Sequence, residues 1–245
     1  MRKKNYTRCL VLLLGLFLAF AAKAQQKPNV IVILADDMGY SDISCYGSEI
    51  RTPNLDALAS GGVKFRTFYN TTKCSPTRAS MLTGQYPHEA GMEGLSNSTG
   101  NSPAFLGYLP KNVVTLAEVL KTNGYGTYMA GKWHIGEDAG RWPKDRGFDN
   151  YWGLISGGSS YYEIITPEEN PNQVVVRKMA YDNQPWDPDN TNDPNNPYAP
   201  GTFYMTDATG DFALDFLQEH FTTKPNSPFF FISLFYCSSL ASPRT

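Results

Sequence analysis

The segment NVIVILADD, residues 29–37, is a short β-branched run closing on two carboxylates, the pattern of a buried parallel strand whose carboxyl end reaches a polar site. TPNLDALASGG, residues 52–62, predicts a helix: Thr52 stands at the cap, Pro53 in the first turn, Leu55, Leu58 and Ala59 on one face, and glycines at the stop. VKFRTFY, residues 63–69, alternates and predicts a strand. In SPTRASMLTG, residues 75–84, Ser75 reads as a cap and Pro76 as a first-turn residue, which sets Cys74 at a helix N-terminus. TLAEVLKTNG, residues 115–124, repeats the grammar with a capping box of Thr115 and Glu118 and with Gly124 past the end. YGTYMAGKWHIG, residues 125–136, reads as a strand running into a polar turn. Residues 166–201 are dominated by Pro, Asn and Asp and predict a long surface excursion. TDATGDFALDFLQEH predicts a helix over 206–220, and PFFFISLF, residues 228–235, a fully buried strand. Strands alternating with helices predict an α/β layer fold with a mostly parallel sheet.

The N-terminus changes the picture of where the chain works. Residues 1–24 combine a basic start, an apolar run from Leu10 to Ala22 and a small-x-small ending, the pattern of a secretory signal peptide. The run is short for a membrane span, so the mature chain, residues 25–236 followed by a short tail, is expected in the periplasm or outside the cell with no membrane association. Cleavage removes five cations and no acid, which moves the formal charge from −2 by five to −7 and argues against nucleic acid as a partner. Cys45, Cys74 and Cys237 remain, an odd number that excludes a disulfide framework using them all. Cys45 reads as packing.

Candidate chemistry gathers around Cys74. A thiol at a helix N-terminus is activated because the dipole and free N–H groups favour the anion. On its residues alone Cys74 is a nucleophile, a redox thiol or a plain buried residue. Asp36 and Asp37 are hard oxygen donors suited to Ca²⁺ or Mg²⁺, or a solvated turn. Arg78 lies one helical turn beyond Cys74, otherwise a surface cation. Lys132 reads as a strand-end charge and His134 as a satisfied polar residue near the surface. His88 fits a loop-structuring role, and His220 ends a helix, where a cation is favourable.

CSPTRASMLTG, residues 74–84, resembles the signature of the type I sulfatases, and LADDMGYSD (34–42) and GKWHIG (131–136) are similar to that family's metal-binding and second signatures. TPNLDALASGGVKF and GQYPHEAGM are also family-like, so the resemblance spans about residues 27–235. It implies an alkaline-phosphatase-like α/β fold, incomplete at its C-terminus, that hydrolyses sulfate esters of the arylsulfatase kind. It also implies that Cys74 is oxidised to formylglycine by a maturation enzyme, giving a hydrated aldehyde with one hydroxyl to attack sulfur and another to expel sulfate. By the same resemblance Asp36, Asp37 and the modified Cys74 hold Ca²⁺ or Mg²⁺, Arg78 holds the hydrate, Lys132 contacts sulfate and nucleophile, and His134 assists sulfate release as a base. The substrate is then an aryl sulfate or a sulfated glycan. The alternatives are a phosphonate or phosphate monoester hydrolase of the same superfamily and a non-catalytic remnant that binds sulfated glycan.

The family's later Asp-Asn pair, lysine and histidine have no counterpart here, so little or no activity is expected of this chain alone. After the last strand, where the family reads Ala-Pro-His-x-Pro, this chain reads YCSSLASPRT. One permitted codon choice for residues 237–245, shifted by one nucleotide, encodes Ala-Pro-His-Trp-Pro-Leu-His-Ala. These nine residues are therefore expected to be an out-of-frame tail.

Overall fold

Phenylalanines alternate between two cores in the run at 228–235, because successive side chains of a strand point to opposite faces. The computed structural model describes residues 26–96, 98–167 and 174–235. Its strands are β1 (Val30–Ala35), β2 (Gly126–Gly131), β3 (Asn150–Leu154), β4 (Ile165–Pro167), β5 (Val174–Val176), β6 (Met179–Tyr181), β7 (Gln184–Pro185) and β8 (Phe229–Phe235). Six of them form one sheet in the order β1-β8-β2-β3-β6-β7, and β4 pairs with β5 separately. β1, β8, β2 and β3 are parallel, while β6 and β7 join antiparallel. The expected α/β class with a mostly parallel sheet is what folds.

Phe230, Ile232 and Leu234 of β8 pack with Met129, Tyr151, Phe148 and the buried faces of two helices, α2 (Cys74–Thr83) and α3 (Leu116–Thr122). Phe229 and Phe231 face the other way, onto Phe212 and Phe216 of α4 (Met205–Thr223). Each such side chain taken from water stabilises the fold by about 1.5–3 kcal/mol, which makes β8 the axis of both cores. Trp152 of β3 stacks on Phe212 with ring centroids 4.4 Å apart. The predicted capping box forms: Thr115 Oγ1 accepts from Glu118 N, and Thr115 N donates to Glu118 Oε2 at 2.7 Å.

Several expectations are corrected. Residues 63–69 form no strand; Val63, Phe65, Phe68 and Tyr69 are exposed, and among the described residues β1 at the sheet edge pairs only with β8. Alternation proposes a strand, but a ladder needs a partner. The helix α1 (Pro53–Gly61) forms with Thr52 at its N-cap position and Pro53 in its first turn, as read, but it buries no residue, and Thr52 Oγ1 accepts from Ser44 N and makes no cap hydrogen bond. Ser75 does not cap α2: the helix begins at Cys74 after Lys73, and the buried Ser75 Oγ accepts from Ser96 N. The stretch 166–201 is more than a surface excursion, since β6 and β7 extend the main sheet and Trp186 is buried against Trp152. His220 is buried, with Nδ1 2.9 Å from Tyr128 Oη and Nε2 3.0 Å from Ser227 O, so it ties the end of α4 to the sheet. His88 is exposed and stacked on Tyr86. Cys45 is free and half-buried. The leader 1–24, the tail 237–245 and Cys237 lie outside the described residues. Among the described residues no helix is long and apolar enough to cross a membrane.

Candidate active site

The carboxyl ends of β1 and β2 and the start of α2 bring five of the six predicted site residues to one edge of the sheet. Asp36 follows β1 with its N–H donating to Phe235 O. Past β2, Lys132 N donates to Leu234 O and His134 N to Ile155 O, which pins this segment between two neighbouring chain segments. The turn into it uses Gly131 at φ 107°, where a Cβ would lie 2.1 Å from Leu234 O. No side chain fits there.

Arg78 is fully buried, unlike a surface cation. Its Nη1 donates to Lys132 O at 2.5 Å, and Nη2 lies 3.3 Å from Asp36 Oδ1, an ion pair without hydrogen-bond alignment. Lys132, also buried, donates from Nζ to Asp36 Oδ2 at 2.7 Å. One carboxylate thus faces two cations. Burial raises the Asp36 carboxyl, but Arg78 and then Lys132 outweigh it and hold the group below the usual carboxylate range. Cys74, half-buried at the first position of α2, is close enough to Arg78 for its charge to be felt there. Asp37 is exposed, at φ 57°.

His134 is buried as well, at φ 55°, a left-handed conformation that costs a non-glycine residue about 1 kcal/mol or more. Burial, then Lys132 and Arg78, push its pKa down to about 3, with Arg177 adding to the effect and Asp36 opposing it. The imidazole is therefore neutral at neutral pH. In the unfolded chain it takes up a proton near 6.5, which the folded protein refuses until about 3. Stability is accordingly expected to fall as the pH drops through that window, by up to about 1.4 kcal/mol per pH unit. His134→Gln should flatten the slope in urea unfolding measured between those limits; an unchanged slope would place the proton elsewhere.

Of the seven buried side-chain polar atoms without a hydrogen-bond partner among the described residues, three are Arg78 Nε, Arg78 Nη2 and His134 Nδ1. Buried polar atoms left open cost about 1–3 kcal/mol each, so their concentration at one place marks a ligand site. Asp36 and Asp37 are hard donors side by side. Yet both oxygens of Asp36 face cations, and the described residues contain no group of three His, Cys, Asp or Glu able to hold a metal ion. Calcium takes six to eight oxygens. The described residues do not make that shell by themselves.

Sequence patterns gave no sign of Tyr151, fully buried beneath the site with its hydroxyl donating to Gly131 O at 3.0 Å. They gave equally little of Gly157, which lies against the ring of His134. For Gly157 the only local signal is a glycine pair after a strand, a mark of close approach.

The family model described as Sulfatase matches residues 28–238. The arylsulfatase of Klebsiella aerogenes is 45% identical over 148 residues, covering 60% of this chain and 32% of that protein. The crystal structure of Ps i-CgsB superposes with a TM-score of 0.69 at 30% identity, covering 89% of this chain and 46% of that one. The structure of BT4656, solved with its substrate D-glucosamine-2-N,6-O-disulfate, gives 0.60 at 26% identity, over 85% of this chain and 34% of that one. The chain thus spans about a third of the curated relative and under half of these solved chains.

Proposed function

The chain belongs to the sulfatase family, and on that premise we propose that it carries the nucleophile-bearing part of a sulfuric ester hydrolase, with Cys74 converted to formylglycine. The observation that supports this most is the fully buried Arg78, whose Nε and Nη2 have no hydrogen-bond partner among the described residues, one helical turn from Cys74. Two buried cations, Arg78 and Lys132, stand against the Asp36 carboxylate, a setting that suits an anionic ester.

Hydrated formylglycine supplies two hydroxyls on one carbon. One attacks sulfur as the ester S–O bond breaks, and the alcohol leaves with the proton that this hydroxyl gives up. The other loses its proton as the C–O bond to sulfate breaks and the aldehyde re-forms. Arg78 orients the side chain at position 74 with its open donors. Lys132, anchored on Asp36, meets the sulfate oxygens and offsets the charge that develops on them. His134, neutral, takes at Nδ1 the proton of the second hydroxyl as sulfate leaves, the negative charge of the bound sulfo group offsetting the cations that otherwise hold its pKa down. No step is assigned to a metal, because the described donors are too few. The substrate class we propose is a sulfate ester of an aryl alcohol or a glycan; the glycan reading draws on the disulfated glucosamine named as substrate of BT4656. Secretion through the leader 1–24 and modification by a formylglycine-generating enzyme complete the proposal.

A phosphonate monoester also carries one negative charge, so charge alone does not separate the two substrates. The test is expression with a formylglycine-generating enzyme, peptide mass spectrometry of residue 74, and hydrolysis of an aryl sulfate against an aryl phosphonate. Both the 245-residue chain and any longer product of its gene are assayed. Conversion of Cys74 with preference for the sulfate is expected. A thiol that stays unmodified while a control sulfatase is converted, or preference for the phosphonate, would overturn the reading.

A further inference from the structure

We propose that Gly157 is a positioning residue, and that the space left by its missing side chain is the seat of the His134 imidazole. An ideal Cβ at position 157 would stand 2.2 Å from His134 Nε2, 2.5 Å from Cε1 and 2.9 Å from Cδ2. All three lie below any contact that real Cβ atoms make. The requirement is purely spatial, since the backbone at 157 is not in the left-handed region.

Neither side of this contact has room to retreat. On one side, His134 N donates to Ile155 O at 3.1 Å, and the ring sits on a backbone already strained to a positive φ. On the other, Ile155 N donates to Lys178 O at 2.8 Å and Lys178 N to Ser156 Oγ at 3.0 Å, which fastens the approach to Gly157 onto the neighbouring segment. Ser156 Oγ in turn donates to Glu137 Oε2 at 3.1 Å, tying the two segments together beyond the histidine. A methyl group at 157 must therefore turn the imidazole out of its place. Because Nδ1 of that ring has no partner among the described residues, no hydrogen bond of its own returns it.

The inference rests on the reading of His134 as the base for sulfate release, and three measurements keep the two apart. First, Gly157→Ala is made in the natural background and in His134→Gly, and the urea midpoints are compared. The substitution is expected to lower the midpoint only where the imidazole is present. If Gly157→Ala fails to fold, recovery in the Gly157→Ala, His134→Gly double variant supports the seat; an equal loss in both backgrounds overturns it. Second, carbethoxylation by diethyl pyrocarbonate is mapped by peptide mass spectrometry. The rate at His134 should rise at least tenfold in Gly157→Ala while that at the exposed His88 stays unchanged, and an unchanged His134 rate overturns the proposal. Third, if the parent protein hydrolyses an aryl sulfate, Gly157→Ala should lower kcat tenfold or more with KM nearly unaltered. Coupling and exposure of His134, with no activity of either the 245-residue chain or a longer product of its gene, would leave the seat standing and remove the sulfatase reading. Parent activity retained in full by Gly157→Ala, without coupling, would do the reverse.

Discussion

Replacing Cys74 with alanine is expected to abolish sulfate ester hydrolysis in an active form of this protein, by roughly 10⁶-fold, the scale on which loss of a nucleophile alone acts. The fold should be indifferent. Cys74 is a half-buried, free thiol at the first position of α2, and alanine is the better helix former there. Urea stability should therefore stay within about 0.5 kcal/mol of the parent. Cys74→Ser makes a sharper case, because a serine hydroxyl can accept the sulfo group once but carries no second hydroxyl on the same carbon to expel it. A single turnover that leaves a sulfated protein, seen by mass spectrometry and followed by no steady state, is the expected result. Steady turnover by either variant would mean that the nucleophile lies elsewhere.

Arg78→Met is expected to cost about 3–5 kcal/mol of stability, the range for removing one partner of a buried ion pair. Arg78 is fully buried, and its loss leaves the Lys132 carbonyl without its 2.5 Å donor and Asp36 with Lys132 as its remaining cation. Asp36→Asn in the same background should add to the loss, since it takes from the buried Lys132 the carboxylate to which it donates. Asp36 also predicts an acid signature. Its carboxyl is held below 3.8, so its contribution is complete above that pH and is lost as the pH falls through the folded value. Arg78→Met should weaken that acid dependence. A loss under about 1 kcal/mol in urea unfolding would show that the cluster contributes little to folding.

Some features of the chain were legible because the interactions behind them are local. The box of Thr115 and Glu118 is closed by residues three apart, and a helix N-terminus beside Cys74 was marked by Ser75 and Pro76, although the helix begins earlier than Ser75 as cap implies. β8 was legible for a different reason: its apolar run is too short for a helix and too continuous for a strand with a wet face, which leaves burial on both faces. The type and order of Cys74, Arg78, Lys132 and His134 stood in the sequence as well, and with them the family.

What the sequence left open needs a partner from far along the chain. Residues 63–69 alternate like a strand, but among the described residues no neighbouring strand takes up their ladder, so the pattern remains without the structure. β6 and β7 exist because β3 offers them an edge, which composition at 166–201 concealed. Ser75 has the chemistry of a cap, yet the amide of Ser96 reaches its hydroxyl. In the site, Asp36 and Lys132 stand 96 positions apart and meet at 2.7 Å. The contact between Gly157 and His134 depends on an absent side chain, which no pattern of side chains can announce. Periodicity and capping are set by neighbours within a turn or two, whereas charge pairing, burial and close approach are set by which strands lie side by side, and that only the folded sheet decides.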